Sequence, residues 1–211
     1  MSYFELTQIS KFYNKIHVLS DVNFSLEQGQ MIWVSGDNGS GKTTLCKIIG
    51  GMISANTGTI LFDNREIKNM PAYKRMHDFL AYMPQESILL FDYNVQQNLE
   101  FTKELLGKRI FSWSEKLSIL MNTLFKKDDY ALQNAALLSR GERRKLEFYI
   151  TLLANSAIYL FDEPFSGLDL KSKKLIVKTM ELLKKESKTI ILIEHDIPEE
   201  LSKIIDQKIT L

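Results

Sequence analysis

Residues 36–44 constrain this chain more than any other part of its sequence. They read Gly-Asp-Asn-Gly-Ser-Gly-Lys-Thr-Thr and fit the pattern G-x-x-x-x-G-K-[ST]. An apolar run, Met31–Ser35, precedes them and predicts a buried strand, and residues 45–49 can continue as a helix. In this order of strand, loop and helix, glycines let backbone N–H groups turn inward, and the helix N-terminus adds partial positive charge. The pattern therefore predicts a cradle for phosphate groups.

The side chains of this phosphate cradle fit the same chemistry. Lys42 is long enough to reach the β- and γ-phosphates of a nucleotide, and the Thr43 hydroxyl can bind Mg²⁺. Backbone N–H groups and short side chains supply further contacts. The other residues of the cradle predicted to bind the nucleotide are Gly36, Asp37, Asn38, Gly39, Ser40, Gly41 and Thr44.

A second chemical signal is an apolar strand that ends in two carboxylates. Residues 158–161 are apolar, and Asp162 and Glu163 follow directly. At the carboxyl end of a strand beside the cradle, Asp162 can hold Mg²⁺ through its water shell. Glu163 can polarise a water molecule for attack on the γ-phosphate. An acidic turn before Pro164 is the alternative, and the cradle in the same chain disfavours it.

Composition limits the partners and the environment. The chain has 27 Lys and Arg against 26 Asp and Glu, so its net charge of +1 gives no electrostatic reason to expect nucleic acid as a partner. Residues 143–145, Arg-Arg-Lys, are expected on a solvated or subunit-facing helix surface. The single cysteine, Cys46, is expected to be buried. No apolar run reaches membrane-spanning length, so a soluble chain in the cytosol is expected.

The order of elements predicts the fold class. A small antiparallel β layer is expected in the first thirty residues, and strands and helices alternate after it. A helical insertion is expected over residues 94–134, where Asn94 and Gln97 have the spacing of a capping box. Such alternation predicts an α/β fold with a mostly parallel sheet, in one domain over residues 1–211. The expected strands are residues 3–9, 22–26, 58–62, 78–83, 157–161 and 189–193, and the expected later helices are residues 141–155 and 171–186.

Seven motifs, in chain order, resemble those of the nucleotide-binding subunit of an ATP-binding cassette (ABC) transporter, and the resemblance covers the whole chain. The resemblance implies a P-loop NTPase core with an N-terminal antiparallel β layer and a helical subdomain at about residues 86–154. Compact export-type subunits, including haem-exporter ATPases, are similar. The motifs are the aromatic segment 11–14, the phosphate cradle, the glutamine loop 82–85, the signature loop 138–142, the carboxylates 162–163, the following loop 166–169 and the histidine switch 193–196.

The resemblance also implies roles for residues outside the cradle. Beside the catalytic Glu163, Gln85 would bind Mg²⁺ and touch the attacking water, and His195 would contact the γ-phosphate. Tyr13 would stack on adenine, with Phe12 as the alternative, since one of the two rings should face the core. The remaining nucleotide contacts are expected from Ser139, Gly141 and Asp169, the first two facing the γ-phosphate of an opposite subunit.

The signature loop departs from the family's commonest form at two positions. Arg140 stands in place of a glycine, and Glu142 stands in place of a glutamine. Ser139 and Gly141 are kept, so the contact with an opposite subunit is feasible.

The implied function is Mg²⁺-dependent ATP hydrolysis coupled to transport. ATP would join two nucleotide-binding subunits, most simply two copies of this chain, and hydrolysis would release them. An integral membrane subunit would dock near residues 86–93, where four apolar residues follow shortly after Gln85, unless these pack under the helical insertion. The chain would then be peripheral on the cytoplasmic face of the membrane. The alternative is a soluble ABC-type ATPase that drives assembly or remodelling without a membrane partner.

Overall fold

Two β-sheets form the framework of the computed structural model, which describes residues 2–107 and 114–211. A four-stranded antiparallel sheet has the order β2-β1-β4-β5, and a five-stranded parallel sheet has the order β6-β7-β8-β3-β9. The strands are β1 Phe4–Tyr13, β2 Ile16–Leu26, β3 Met31–Ser35, β4 Thr57–Phe62, β5 Arg65–Glu66, β6 Leu80–Met83, β7 Ile158–Asp162, β8 Thr189–Ile193 and β9 Gln207–Thr210. The predicted α/β class is confirmed.

Strands β7 and β8 of the parallel sheet are apolar because both faces of the sheet are covered where they lie. Every residue of β7 and of β8 is buried, as expected for a sheet that lies between two layers. Parallel strands end at the same edge of the sheet, so the loops after β3, β6, β7 and β8 emerge together. This edge therefore collects the cradle, the glutamine loop, the two carboxylates and the histidine switch.

The helices cluster around this parallel sheet. Four of them follow β6 and precede β7, which is the chain order that the predicted helical insertion requires. Residues 108–113, which that prediction also covers, lie outside the described residues. The α-helices are α1 Lys42–Ile49, α2 Ala72–Asp78, α3 Val95–Leu106, α4 Glu115–Leu124, α5 Lys127–Tyr130, α6 Arg140–Leu153, α7 Leu170–Lys185 and α8 Glu199–Ser202.

Helix starts follow local capping chemistry. The Asn94 side chain accepts from the backbone of Gln97, and the Gln97 side chain accepts from the backbone of Asn94, which confirms the predicted capping box at the start of α3. Where the described residues form helices, none is long and apolar enough to cross a bilayer.

Some element boundaries differ from the sequence prediction. The strand expected over residues 78–83 begins only at Leu80, because Asp78 still belongs to α2. The hairpin of β1 and β2 is longer than expected and turns at Asn14, which has a positive φ of 54°. Short elements without a strong periodic pattern were not predicted, namely α2, α8, β5 and β9.

The core consists of two apolar clusters, one on each face of the parallel sheet. Alternate residues of a strand enter different clusters: Leu160 packs with the antiparallel sheet and α1, whereas Phe161 packs with the helical insertion and α7. Cys46 of α1 is fully buried in the first of these clusters, as predicted.

Arg75 fixes the end of α1 from inside the protein. Its fully buried guanidinium donates to the carbonyls of Ile48 at 2.9 Å and Ile49 at 2.7 Å, which are the last residues of α1. It also donates to backbone carbonyls of residues 67, 68 and 70. Carbonyls at a helix C-terminus carry partial negative charge, so they can satisfy a buried cation. Burial nevertheless lowers the pKa of Arg75 to about 10.

Candidate active site

The phosphate cradle lies between β3 and α1. Gly41 has a φ of 98°, and a Cβ atom there would lie 2.6 Å from the Val18 carbonyl oxygen, so this position requires glycine. Helix α1 begins without a side-chain cap and without an acidic residue in its first turn. Its N-terminal partial charge is therefore available to a phosphate group.

Lys42 folds back over the loop that it follows. Its Nζ atom donates to the carbonyl oxygens of Gly36 at 2.6 Å and Asp37 at 2.7 Å. The Ser40 N–H donates to the Asp37 carbonyl at 3.1 Å, which closes a turn around the exposed residues Asn38 and Gly39. The ammonium group is thus held at the mouth of the cradle, where a phosphate can replace carbonyls as its partner.

The two carboxylates lie in different environments. Asp162 is buried at the end of β7, and its Oδ2 atom has no hydrogen-bond partner. Burial raises the pKa of Asp162 above its usual range, and a hydrogen bond with the Cys46 thiol opposes that rise. Glu163 is half-buried, and its Oε2 atom accepts from the Gln85 amide at 3.0 Å. The structure therefore brings together the glutamine and the glutamate that sequence analysis predicts as catalytic.

The predicted magnesium ligands Thr43, Gln85 and Asp162 line one cavity of about 360 Å³. Hydroxyl, amide and carboxylate oxygens are the ligands that Mg²⁺ prefers, and it keeps several waters and substrate phosphates as further ligands. The unpartnered buried oxygen of Asp162 costs free energy unless a cation or water contacts it. These three residues therefore fit the ion.

Arg144 connects the carboxylates to the glutamine loop from inside the protein. Its guanidinium donates to the carbonyls of Pro84 at 2.8 Å and Glu163 at 3.0 Å, and also to that of Asp162. The carboxylate of Glu147, itself buried, accepts from Arg144 at 2.9 Å. One side chain on α6 thus fixes the backbone at the end of β6 and at the end of β7.

The expectation of a solvated basic surface at residues 143–145 is wrong for Arg144, which is 5% exposed. Helix α6 packs against β6, and Arg144 and Glu147 are three residues apart on its inner face. Backbone carbonyls and Glu147 offset the cost of burying the charge. Sequence analysis did not predict that Arg144 is buried. The one sequence feature that indicates its burial is Glu147, an acidic residue three positions later in a helix segment that is otherwise apolar.

Glu163 has a left-handed backbone, with φ of 53°. Such a conformation costs a non-glycine residue on the order of 1 kcal/mol or more and persists only where neighbours hold it. Its N–H donates to the Ile193 carbonyl at 2.8 Å, and its carbonyl accepts from Arg144. Contacts with β8 on one side and α6 on the other therefore hold the backbone of Glu163, the predicted catalytic residue, in this conformation.

Glu194 is a second functional candidate that sequence analysis missed. It is buried beside the histidine switch, and its carboxylate accepts from the N–H groups of Phe165 at 3.1 Å and His195 at 3.2 Å. Burial raises its pKa to about 7, with a further rise from the charge of Glu163 and an opposing effect of Arg144. Glu194 thus links the loop after Glu163 to the histidine switch.

His195 follows β8 at the same sheet edge as the carboxylates. Its ring is exposed, and its Nδ1 atom lies 3.1 Å from Asp196 Oδ2. The structure thus places His195, the predicted γ-phosphate contact, next to Glu194 and Glu163 along the sheet edge. The His195 ring is hydrogen-bonded to Asp196.

The aromatic candidates lie near the tip of the long β1–β2 hairpin. Tyr13 is 48% exposed, and the Lys11 ammonium lies 4.9 Å from its ring centroid. Phe12 is half-buried and packs 5.5 Å from the ring of His17. Phe12 is the more buried of the two rings, and neither ring is among the residues of the two apolar clusters. Tyr13 remains the predicted adenine contact.

The signature loop forms the start of α6. Ser139 is its N-cap and forms a capping box with Glu142, whose carboxylate accepts from the Ser139 N–H at 2.8 Å. Glu142, which replaces the glutamine of the family's commonest form, therefore caps the helix. Its hydrogen bonds with Ser139 lower the pKa of the Glu142 carboxyl group. Asp169 caps α7 and accepts from the Ser172 N–H at 2.8 Å.

Ser139, Gly141 and Asp169 make their described contacts away from the phosphate cradle. Within residues 2–107 and 114–211, their hydrogen bonds are to residues of α6 and α7, and Gly141 faces the backbone of Gly167. This arrangement is compatible with the expectation that the signature loop serves an opposite subunit.

A glycine loop between a strand and a helix, at the edge of a parallel sheet that also carries two carboxylates, defines a P-loop NTPase. Residues 19–166 match the family model described as ABC transporter. A chain of Methanocaldococcus jannaschii, an uncharacterised ABC transporter ATP-binding protein, is 30% identical over 98% of this chain and 73% of its own length. The chain therefore belongs to the ABC transporter family of ATPases.

Other relatives carry more specific names. The lipopolysaccharide export system ATP-binding protein LptB of Haemophilus influenzae is 29% identical over 95% of this chain and 83% of its own length. A sulfate/thiosulfate import ATP-binding protein, CysA of Bacillus cereus, is 31% identical over 93% of this chain and 56% of its own length.

Solved structures agree on the fold. A dimeric bacterial ABC transporter cassette has a TM-score of 0.83 at 24% identity, covering 99% of this chain and 94% of its own. A dimeric cassette in a post-hydrolysis state, bound to ADP and Pi, has a TM-score of 0.82 at 23% identity over the same shares of the two chains.

We expect the buried Glu194 to make stability depend on pH. In the folded protein the Glu194 carboxyl group keeps its proton up to about pH 7, whereas in the unfolded chain it loses that proton near pH 4.5. The stabilising contribution is therefore complete below the unfolded value and is lost as pH rises through this window, by roughly 3 kcal/mol. The Glu194→Gln variant mimics the protonated carboxyl and lacks this component. Denaturant unfolding of both proteins from pH 4.5 to 8 measures it, and parallel stability curves would contradict the assignment.

Proposed function

We propose that this chain is the ATP-hydrolysing subunit of a membrane transporter, and that ATP binding drives two such subunits together. The observation that carries the proposal is the 3.0 Å bond between Gln85 and Glu163 at the rim of the cavity that Thr43 and Asp162 also line. This arrangement collects a phosphate cradle, a set of metal ligands and a general base in one place.

Each side chain has a distinct part in hydrolysis. Lys42 exchanges its carbonyl partners for the β- and γ-phosphates and neutralises their charge. Mg²⁺, when held by Thr43, Gln85 and Asp162, supplies electrostatic stabilisation of the phosphate oxygens. Gln85 and Glu163 orient a water molecule for in-line attack, and Glu163 accepts its proton. His195 contacts the γ-phosphate from the neighbouring loop.

A second subunit completes the site. The described contacts of Ser139 and Gly141 are away from their own cradle, which supports a site in which these two residues meet the nucleotide of another molecule. The related dimeric cassettes support such a pair. We propose that two copies associate head to tail around ATP and separate after hydrolysis, which converts chemical energy into movement of an attached partner.

The glutamine loop leads into the proposed docking surface for a membrane subunit. Ile88, Leu90 and Phe91 are each about two-fifths exposed, whereas Leu89 between them is buried. Leu89 thus packs with the helical insertion, as the alternative expects, whereas the three exposed side chains are available to a partner. Ile88 also lines the cavity that holds Gln85, so a partner seated there would sense the nucleotide. The names of the export and import relatives favour this assignment, and with it a location on the cytoplasmic face of a membrane.

Replacing Glu163 by Gln tests the chemical step. The variant keeps the shape of the side chain but loses the proton acceptor, so we expect ATP turnover to fall about a hundredfold or more while ATP still binds. Loss of a negative charge beside the γ-phosphate also favours the closed pair, so the variant should elute as a dimer with ATP and Mg²⁺ on gel filtration.

The matched control for this variant is Glu27→Gln. Glu27 is exposed in the turn before β3, at the opposite edge of the parallel sheet, and its variant should hydrolyse ATP like wild type. Wild-type turnover in Glu163→Gln would remove this residue from the mechanism.

Replacing Leu90 by Asp tests the membrane partner. The Leu90 side chain is exposed, and its backbone bonds to Asn98 do not depend on the side chain. We therefore expect the variant to bind ATP and to lose co-purification with the proposed membrane subunit. The control Ile119→Asp introduces the same charge at an exposed position of α4 and should still co-purify.

Two results would contradict the docking surface. If Leu90→Asp still co-purifies, this segment does not dock the partner. If wild type remains in the soluble fraction without any membrane partner, the soluble ABC-type ATPase is the better assignment.

A further inference from the structure

The first residue of α6 contacts the loop that follows Glu163. The Arg140 Nη2 atom donates to the Ser166 hydroxyl at 2.6 Å. The stem of the side chain lies against Gly167, where a Cβ atom would be 3.1 Å from Arg140 Cγ and 3.2 Å from Cδ. Arg140 thus makes both a polar and a packing contact with the loop 166–169.

Gly141 makes a second contact at the same place. A Cβ atom on Gly141 would lie 2.9 Å from the Gly167 carbonyl oxygen, so the start of α6 and this loop approach closely. Gly167 itself has a φ of 73°, a left-handed conformation that favours glycine. Two consecutive residues of the signature loop therefore touch one short backbone segment.

A small cleft joins this contact to the glutamine loop. It has a volume of about 170 Å³, and its lining includes Gln85, Arg140, Arg144 and Ser166. Gln85 donates to Glu163 from one side of this cleft. The Arg140 contact thus lies beside the hydrogen bonds that position the glutamate.

From this geometry we propose that Arg140 is a positioning residue that ties the signature loop to the loop 166–169, so that the two loops move as one unit. The inference rests on the proposed function. In an ATP-bound pair, the signature loop would face the nucleotide of the opposite subunit, whereas the loop 166–169 follows the subunit's own Glu163. The Arg140–Ser166 contact would then transmit the state of one site to the other.

Arginine at position 140 makes contacts that the family's commoner glycine cannot make. Glycine has no side chain, so it can neither reach Ser166 nor pack on Gly167. A single exposed hydrogen bond contributes little to stability. We therefore expect the contact to affect coordination between loops and not the folding of the chain.

The experiment is a double-mutant cycle with Arg140→Ala, Ser166→Ala and the combined variant, analysed by steady-state ATP hydrolysis over a range of ATP concentrations. Each single variant should lower kcat about three- to tenfold and reduce the Hill coefficient towards one, while ATP affinity measured by titration changes less than about twofold. The combined variant should be no worse than either single one, because both remove the same contact.

Two further variants separate positioning from a general effect. Arg140→Lys keeps a stem and a donor, so it should restore part of the kcat. Arg65→Ala removes an exposed arginine of β5 and should behave like wild type. Equal thermal transitions in all variants would show that folding is intact.

The inference is overturned if the Arg140 and Ser166 effects are additive, if Arg140→Ala keeps the wild-type kcat, or if wild type has a Hill coefficient of one. Failure of the proposed function has a different signature. In that case wild type itself would neither hydrolyse ATP nor associate when ATP and Mg²⁺ are added.

Discussion

The site depends on one buried cation. Arg144 donates to the carbonyls of Pro84, Asp162 and Glu163 and pairs with Glu147, so one guanidinium joins α6 to the ends of two strands. Removing one partner from a buried pair typically costs about 3 to 5 kcal/mol, because the other charge is left unpaired. The same interaction that stabilises the interior therefore fixes the backbone of the glutamine loop relative to the backbone of Glu163, the proposed catalytic residue.

This arrangement separates two tasks. In the proposed function, the cradle binds phosphate with backbone N–H groups, a helix N-terminus and Lys42, and Arg75 fixes the far end of that helix. The carboxylates are held separately, through Arg144 and through the contact of Glu163 with β8. Nucleotide binding and hydrolysis can therefore be altered independently, as the proposed order of ATP binding before association of a second subunit requires.

The sequence predicted the parts of the site that have a fixed spacing along the chain. The cradle, the carboxylates at the end of β7 and the capping box at Asn94 depend on local geometry, and local geometry can be inferred from a pattern. The burial of Arg144 and Glu194, in contrast, depends on which elements pack against them in the folded chain. A charged residue in a basic or polar stretch is usually solvated, so only the tertiary structure shows that these two are buried and bonded to backbone.

We propose that Arg144 positions the catalytic groups of the site without taking part in phosphate binding. The most direct test is the Arg144→Lys variant, in which a charge remains for Glu147 but the planar set of donors to three carbonyls is lost. ATP titration and steady-state hydrolysis are measured on the same folded preparation. We expect an ATP affinity within about threefold of wild type and a kcat about tenfold lower or lower still. If the variant binds ATP and hydrolyses it at the wild-type rate, Arg144 does not position the catalytic groups.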